Sequence, residues 1–171
     1  LRRSNGFSEG AKFYCLFPSS VWHTKALPAE RWAALIATFS EDTQVLLLGG
    51  KGDANLCECI RQMLPAEAQA RAHNACGRLS LLASAHIMQA AKMNYTNDSA
   101  PLHLASAMNA PLVAFFCSTV PNFGFTPLSD TQQIAQVDKP LACRPCGVHG
   151  KKQCPLGHFA CGQIDVGGVL R

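Results

Sequence analysis

The amino-acid sequence predicts an α/β fold: a Rossmann-like parallel sheet with helices on both faces. Its apolar runs are short and continuous, as strands are when the sheet is covered on both sides, instead of alternating with polar residues. These runs also alternate with segments of helical periodicity, which is the order typical of βαβ units. In such a sheet ligands bind beyond the carboxyl ends of the strands, so the loops there are the candidates for function.

The composition is that of a globular protein with a mild positive charge. Of the 171 residues, 48% are hydrophobic and 15% are charged, and the formal net charge is +4. A chain of this length buries a substantial core. Because the basic residues are scattered, we expect no nucleic-acid partner, and the charge fits an anionic small ligand or a surface near a membrane. No apolar run approaches the roughly 18 residues that span a bilayer.

The first residues and the cysteines indicate the compartment. The opening LRRSNGFSEG contains neither the apolar segment of a secretory signal peptide nor an initiator Met. We therefore expect the sequence to be cut from a longer chain, with residues 1–11 as a leader or linker, and the protein to be cytoplasmic. The nine cysteines are an odd number, which favours reduced thiols over a disulfide framework.

The first strand and the first helix have the clearest signals. The run KFYCLF (12–17) is apolar and stops at Pro18, which predicts a buried strand. Pro28 suits the first turn of a helix. One face of that helix is formed by residues spaced i, i+3, i+4 and i+7, namely Trp32, Leu35, Ile36 and Phe39.

The remaining elements continue to a last strand candidate, after which the pattern stops. In chain order they are the strand QVLLLGG, the helices DANLCECIRQML and LSLLASAHIMQAAK, the strand MNYT, the helix SAPLHLASAMN, the strand PLVAFFC and the strand candidate QIAQV. We expect residues 12–138 to form the ligand-binding domain. Residues 139–171 are rich in Gly, Pro and Cys, and we expect them to form a separate carboxyl-terminal extension, mostly loop.

Loops that suit a ligand follow the first two strands. Ser20, Thr24 and Lys25 follow the first strand and suit a phosphate, because hydroxyl and backbone N–H groups donate while the lysine supplies a charge. Gly49 and Gly50 follow the second strand, where missing side chains would let a ligand approach the backbone. The alternatives are a solvated lysine and an ordinary glycine turn.

The stretch NDSAPLH begins the fourth predicted helix. Asn97, Asp98 and Ser99 are all good N-cap residues, and Pro101 suits the first turn. The N–H groups of a helix N-terminus form a site for an anion, and His103, one turn further, could donate to a phosphate or a sugar hydroxyl. The alternative is a plain helix cap, with the histidine as a core or surface residue.

The cysteines fall into two groups. Four in the tail follow the spacing C-x2-C-x7-C-x6-C, namely Cys143, Cys146, Cys154 and Cys161. Four thiolates can complete a tetrahedral zinc site, and structural zinc, labile disulfides and plain reduced thiols all stay open. We expect the other five to act as small core residues: Cys15, Cys57, Cys59, Cys76 and Cys117.

Three stretches together resemble the carboxyl-terminal half of glycosyltransferase family 9, the lipopolysaccharide heptosyltransferases. They are PSSVWHTKALPAERWAALI, VLLLGG and NDSAPLHLASAMNAPLVAFFCSTVPNFGFTPLS, and their order, spacing and local chemistry agree across roughly residues 12 to 130. The tail CRPCGVHGKKQCPLGHFAC is similar to the cysteine-containing ending of one branch of that family.

The resemblance implies the GT-B fold, with residues 12–138 as a nucleotide-sugar-binding, Rossmann-like domain. This half would bind ADP-heptose, and a missing amino-terminal domain would bind a lipid-linked oligosaccharide acceptor and supply the activating carboxylate. Heptose would pass with inversion to the lipopolysaccharide inner core, at the inner face of the bacterial inner membrane and with peripheral membrane contact. No metal or other cofactor would be required for the reaction. This chain alone would be an incomplete catalytic unit.

The resemblance also implies roles for individual residues. Thr24 and Lys25 would meet the donor diphosphate, and Asp98 would lie near the donor sugar and diphosphate. Lys25 and Asp98 are therefore the catalytic candidates, and no residue is assigned to a catalytic metal. The donor-binding candidates are Ser20, Thr24, Lys25, Gly49, Gly50, Asp98, Ser99 and His103.

Two other functions stay open on the sequence. One is a non-enzymatic α/β module, either nucleotide-binding or stabilised by zinc for interaction with a partner. The other is a glycosyltransferase of the same fold with a different nucleotide-sugar donor. Ser19 and Ala100 stand where the family often has glycine, which adds bulk near the expected phosphate path.

Overall fold

The computed structural model describes residues 12–171, so the predicted leader at 1–11 lies outside the described residues. A six-stranded parallel sheet in the order β3-β2-β1-β4-β5-β6 forms its centre. The strands are β1 Phe13–Phe17, β2 Gln44–Leu47, β3 Ala72–Asn74, β4 Met93–Asn97, β5 Leu112–Phe115 and β6 Gln132–Ala135. The helices are α1 Ala29–Ala37, α2 Ala54–Gln62, α3 Ala66–Ala70, α4 Leu81–Ala90 and α5 Ala100–Ala107. Within residues 12–171 no helix is long and apolar enough to cross a membrane.

Successive residues of the buried strands point into two separate cores. In β1, Tyr14 and Leu16 pack in the core that includes α1 and α2, whereas Cys15 and Phe17 pack in the core that includes α4 and α5. Side chains alternate in this way because the strand has a period of two. Both faces of the sheet are therefore covered, which confirms the predicted α/β fold with helices on both sides.

Helix α1 buries the face that its spacing predicts. Trp32, Leu35 and Ile36 are fully buried, and Phe39 packs against the same core just beyond the helix. Burying a large apolar side chain stabilises a fold by roughly 1.5–3 kcal/mol, so this face accounts for the position of the helix on the sheet. The helix begins at Ala29 and is preceded by the proline, one position outside the predicted first turn.

Two elements have no clear signal in the sequence, α3 and β3. The three residues of β3 are Ala, His and Asn, none of them a residue that favours strands. This strand forms because the edge of β2 offers it partners: the Val45 N–H donates to the Arg71 carbonyl, and the Ala75 N–H donates to the Leu47 carbonyl. Tertiary pairing thus overrides a weak local preference.

The end of the chain packs into the main core. Ile164, Val166 and Val169 are buried in the same cluster as α1 and β5. The hydroxyl of Tyr95, on β4, donates to the Leu170 carbonyl at 2.8 Å. The predicted boundary at 138/139 follows the change in composition, but the packing does not follow that boundary.

Candidate functional site

The two strands at the centre of the sheet mark a change in direction of the chain. From β1 the chain runs outward through β2 to β3 and then returns to β4 on the other side of β1. Ligands of parallel α/β sheets bind outside the carboxyl ends of the strands at such a switch point. The loops after β1 and β4, which contain most of the predicted site residues, meet there.

Lys25 and Asp98 form an ion pair at this switch point. The Lys25 Nζ lies 2.8 Å from the Asp98 Oδ2, and the two side chains are 13% and 4% exposed. The Thr119 Oγ1 donates to the same carboxylate oxygen at 2.7 Å. A buried carboxylate is stable when it is paired and hydrogen-bonded, so two donors from two other loops fix Asp98.

Thr119 was not among the predicted site residues, although a signal was present. It lies in the stretch CSTV, which begins two residues after the end of β5 and places hydroxyl groups after a strand in the same way as the other loops considered. Ser118 and Thr119 are both almost fully buried. From the end of β5, they support the loop that contains Lys25 and the loop that contains Asp98.

Asn97, the last residue of β4, ties the two central loops together. It is fully buried, and its Oδ1 accepts from the Leu27 N–H at 2.9 Å. Its Nδ2 donates to the carbonyls of Pro18 at 2.8 Å and Ser19 at 3.2 Å. The sequence suggested Asn97 as one of three cap residues, but its amide instead fixes the chain after β1, and so shapes the loop that leads to Lys25.

Thr24 directly precedes Lys25 in the chain. It is 1% exposed, and its hydroxyl accepts from the Ser118 Oγ at 3.0 Å and from the Lys151 N–H at 2.8 Å. These two bonds join the loop that contains Lys25 to the loop after β5 and to the tail. The contact of Thr24 with the donor diphosphate, which the resemblance implies, stays a prediction.

Helix α5 begins without a side-chain cap. Ser99 occupies the N-cap position with an extended backbone, yet its hydroxyl donates back to the Asn97 carbonyl at 3.3 Å and accepts nothing from the first turn. Pro101 in that turn has no N–H group. The alternative of a plain cap thus has no side-chain hydrogen bond to support it, and the positive end of α5 begins next to Asp98 without a side-chain acceptor.

The glycines after β2 have a structural reason of their own. A Cβ at Gly49 would lie 2.6 Å from the Asp53 Oδ2, and that same oxygen accepts from the Gly50 N–H at 2.7 Å. The missing side chain thus makes room for a carboxylate within the protein. Close approach of a nucleotide at these glycines stays a prediction.

Ser20 and His103 lie at the edges of the site. The Ser20 Oγ accepts a weak bond from the Trp22 N–H at 3.4 Å, inside its own turn. His103 is exposed, and its ring centroid lies 6.2 Å from that of Phe125. His103 is therefore a surface residue in this structure, and its contact with a donor phosphate stays a prediction.

The four tail cysteines line one cavity of about 490 Å³ together with His158. Burial and the nearby thiols of Cys143 and Cys154 raise the pKa of the Cys146 thiol. All nine cysteines of the chain lie in the described part and are free thiols. Across residues 12–171, however, no three His, Cys, Asp or Glu side chains are arranged to hold a metal ion, and structural zinc stays a prediction.

The other five cysteines follow the prediction only in part. Cys15, Cys57 and Cys117 are buried, as expected of small core residues. Cys76 is half-buried, with its Sγ 3.2 Å from the Cys57 Sγ. Cys59 is exposed, because it lies on the outer side of α2, so its assignment to the core is wrong.

A parallel sheet of this strand order, with a helix N-terminus at its switch point, is typical of Rossmann-like domains that bind nucleotides. Residues 2–159 match glycosyltransferase family 9 (heptosyltransferase). The chain belongs to glycosyltransferase family 9, which confirms the resemblance found in its sequence.

Individual relatives agree with this membership. Lipooligosaccharide heptosyltransferase 2 of Campylobacter jejuni is 30% identical over 154 residues, which are 89% of this chain and 47% of that protein. Lipopolysaccharide heptosyltransferase 2 of Escherichia coli is 32% identical over 133 residues, covering 77% of this chain and 36% of that protein. The solved structure of E. coli ADP-heptose LPS heptosyltransferase II superposes with a TM-score of 0.72 at 26% identity, over 82% of this chain and 45% of that one. The chain spans about half the length of the Campylobacter relative, and less of the other.

Proposed function

We propose that this chain is the donor-binding half of a glycosyltransferase that transfers heptose from ADP-heptose to the lipopolysaccharide inner core. The observation that carries the proposal is the Lys25–Asp98 pair at the switch point of the sheet, beside the uncapped start of α5. The name of the similar E. coli enzyme, ADP-heptose LPS heptosyltransferase II, supports the choice of donor.

In this proposal the donor diphosphate lies between Lys25 and the N-terminus of α5. The acceptor hydroxyl attacks the anomeric carbon, the bond from that carbon to the diphosphate oxygen breaks, and ADP leaves. The leaving group gains negative charge in the transition state, which the ammonium group and the helix N–H groups stabilise. These groups do the work for which other transferases use a divalent cation. Asp98 holds the lysine in place and faces the donor sugar.

The partners of the complete enzyme are part of the same proposal. A lipid-linked oligosaccharide would be the acceptor, bound by an amino-terminal domain that supplies the carboxylate for its activation. The reaction would take place at the inner face of the bacterial inner membrane. The heptosyltransferase names of the relatives from Campylobacter and E. coli support this acceptor class.

Isothermal titration calorimetry with ADP, ADP-heptose, UDP and GDP tests the donor assignment on the full chain. We expect ADP and ADP-heptose to bind, and UDP and GDP to bind more weakly or not at all. Preference for UDP or GDP would instead indicate a transferase of the same fold with another donor. No binding by any of the four at millimolar concentration would contradict the proposal.

Lys25→Met tests the role of the lysine. We expect the affinity for ADP to fall by roughly 1.5–3 kcal/mol, the range for a hydrogen bond to a charged group, or about 10- to 150-fold. Lys92→Met is the matched control, because Lys92 is exposed and precedes β4, at the opposite edge of the sheet.

A second variant separates loss of binding from loss of folding. Lys25→Met leaves the Asp98 carboxylate buried without its cation, which destabilises a protein. The double variant Lys25→Met/Asp98→Asn removes both charges, and we expect it to unfold closer to the wild-type temperature while still binding ADP weakly. Wild-type affinity in a folded Lys25→Met variant would remove the lysine from the site.

A further inference from the structure

One glycine of the cysteine-rich tail, Gly150, lies against the side chain of Lys25. Gly150 has φ +75°, and a Cβ there would lie 2.9 Å from the Lys25 Cγ, 3.1 Å from the Thr24 Oγ1 and 3.2 Å from the Ser118 Oγ. A real Cβ atom essentially never lies within 3.0 Å of a heavy atom to which it is not bonded. A side chain at residue 150 would therefore force the stem of Lys25 or the tail to shift.

Backbone hydrogen bonds hold this part of the tail against the lysine loop. The Lys151 N–H donates to the Thr24 Oγ1 at 2.8 Å, and the Thr24 N–H donates to the Lys151 carbonyl at 3.1 Å. The Cys146 N–H donates to the Ser118 carbonyl at 2.9 Å. The tail is therefore attached to the chain on both sides of the point where Gly150 meets Lys25.

The same segment also supports the partner of the lysine. The Arg144 Nη2 donates to the Thr119 carbonyl at 2.7 Å and to the Phe116 carbonyl at 3.0 Å. Thr119 is the residue whose hydroxyl holds the Asp98 carboxylate. One stretch of the tail thus contacts the loop of the cation and the loop that fixes the anion.

We propose that residues 144–151 form a positioning element for the Lys25–Asp98 pair, and that Gly150 is its central positioning residue. A free lysine side chain explores many rotamers, and ordering it costs free energy when a ligand binds. The tail confines the Lys25 stem before the ligand arrives, so that the ammonium group is already directed at the carboxylate and the adjacent helix. Its effect on donor affinity rests on the proposed function, whereas its effect on Lys25 itself does not.

Gly150→Ala tests the proposal, with Gly157→Ala as the matched control. Gly157 lies in the same tail with φ +73°, and a Cβ there would meet nothing within 4 Å. Both variants therefore place an alanine at a similar positive φ, and only the first adds an atom against Lys25. We expect Gly150→Ala to weaken ADP binding by about tenfold, as for loss of one hydrogen bond to a charged group, and Gly157→Ala to bind as wild type does.

A second readout does not depend on a nucleotide. Acetylation of individual lysines by acetic anhydride is followed by mass spectrometry, with Lys92 as the internal reference. Lys25 is paired and mostly covered in the wild type, so we expect its acetylation to be faster in Gly150→Ala than in Gly157→Ala. If Gly150→Ala does not fold, Thr24→Val removes the acceptor of the Lys151 N–H and should also speed acetylation of Lys25.

The outcomes separate the two proposals. Absence of ADP binding by the wild type refutes the proposed function, while the acetylation rates still decide the positioning role. Equal acetylation of Lys25 in the wild type and in each folded variant would overturn the positioning role, whatever the nucleotide does. If Lys25 is acetylated faster but the affinity for ADP is unchanged, then residues 144–151 position the Lys25–Asp98 pair but do not contribute to donor binding.

Discussion

Asn97→Asp keeps the shape of the residue that joins the loops after β1 and β4 but removes its two N–H donors. In the wild type these donors point at the carbonyls of Pro18 and Ser19, at 2.8 and 3.2 Å. The acceptor side is preserved, because a carboxyl oxygen can still accept from the Leu27 N–H. The substitution therefore isolates the contribution of the donor side in a fully buried setting.

The size of the loss in folding stability depends on whether the new carboxyl group is protonated. When protonated it donates one hydrogen bond, so the net loss near pH 4 is one bond, about 1 kcal/mol. When ionised it would place a buried negative charge against two carbonyl oxygens, so the native state keeps the proton and the pKa of the new group rises above its unfolded value of about 3.9.

A raised pKa in the folded state means that stability relative to the wild type is greatest at low pH and falls as the pH rises. The loss grows by about 1.4 kcal/mol per pH unit above the unfolded pKa, until the native carboxyl ionises. Between about pH 4 and pH 6.5 the ionisation adds roughly 3 kcal/mol to the destabilisation already caused by the lost hydrogen bond. Urea unfolding of both proteins across this pH range measures the difference.

Two comparisons decide whether the reasoning is right. Asn122 is exposed, so Asn122→Asp should change the free energy of unfolding by less than about 0.5 kcal/mol at any of these pH values. Asn97→Ala should be destabilised by an amount that does not vary with pH. A difference between Asn97→Asp and wild type that stays constant from low to neutral pH would refute the argument.

Two further predictions concern buried groups away from the site. Arg71 is buried and donates to three backbone carbonyls at and after the end of α1. Arg71→Met should therefore lower the free energy of unfolding by about 2–3 kcal/mol in urea titrations. An unchanged free energy of unfolding would show that solvent replaces these hydrogen bonds. Cys59 is exposed, whereas Cys117 is buried, and burial raises the pKa of the Cys117 thiol. A thiol reagent should therefore modify Cys59 quickly and Cys117 only on unfolding, as measured by peptide mass spectrometry. Similar rates for the two thiols in the folded protein would contradict this.

The sheet was predictable where local sequence and packing agree. KFYCLF and PLVAFFC are continuous apolar runs, and both become interior strands with both faces buried. The strand β3 carries no such pattern, because it is an edge of three small or polar residues whose pairing depends on β2. Its place in the sheet is a tertiary property that no window of the sequence contains.

The site was predictable as a set of loops but not as a network. Lys25 and Asp98 were candidates because each follows a strand, and the adjacency of β1 and β4 brings them together. The residues that hold this pair in place could not be identified in the same way. Thr119 and Gly150 act through contacts with residues far away in the chain, so only the folded structure shows which hydroxyl and which glycine matter.

The hydrogen bond between Thr24 and Lys151 joins residues 127 positions apart. During synthesis the chain through β6, which ends at Ala135, is available before this contact can form. The pairing of the strands and the surroundings of Lys25 therefore depend on different lengths of chain, and the second needs a long-range contact with a high cost in loop-closure entropy. A partly synthesised chain that ends after β6 contains all six strands, but it lacks both the contacts that confine Lys25 and the buried residues Ile164, Val166 and Val169 of the main core.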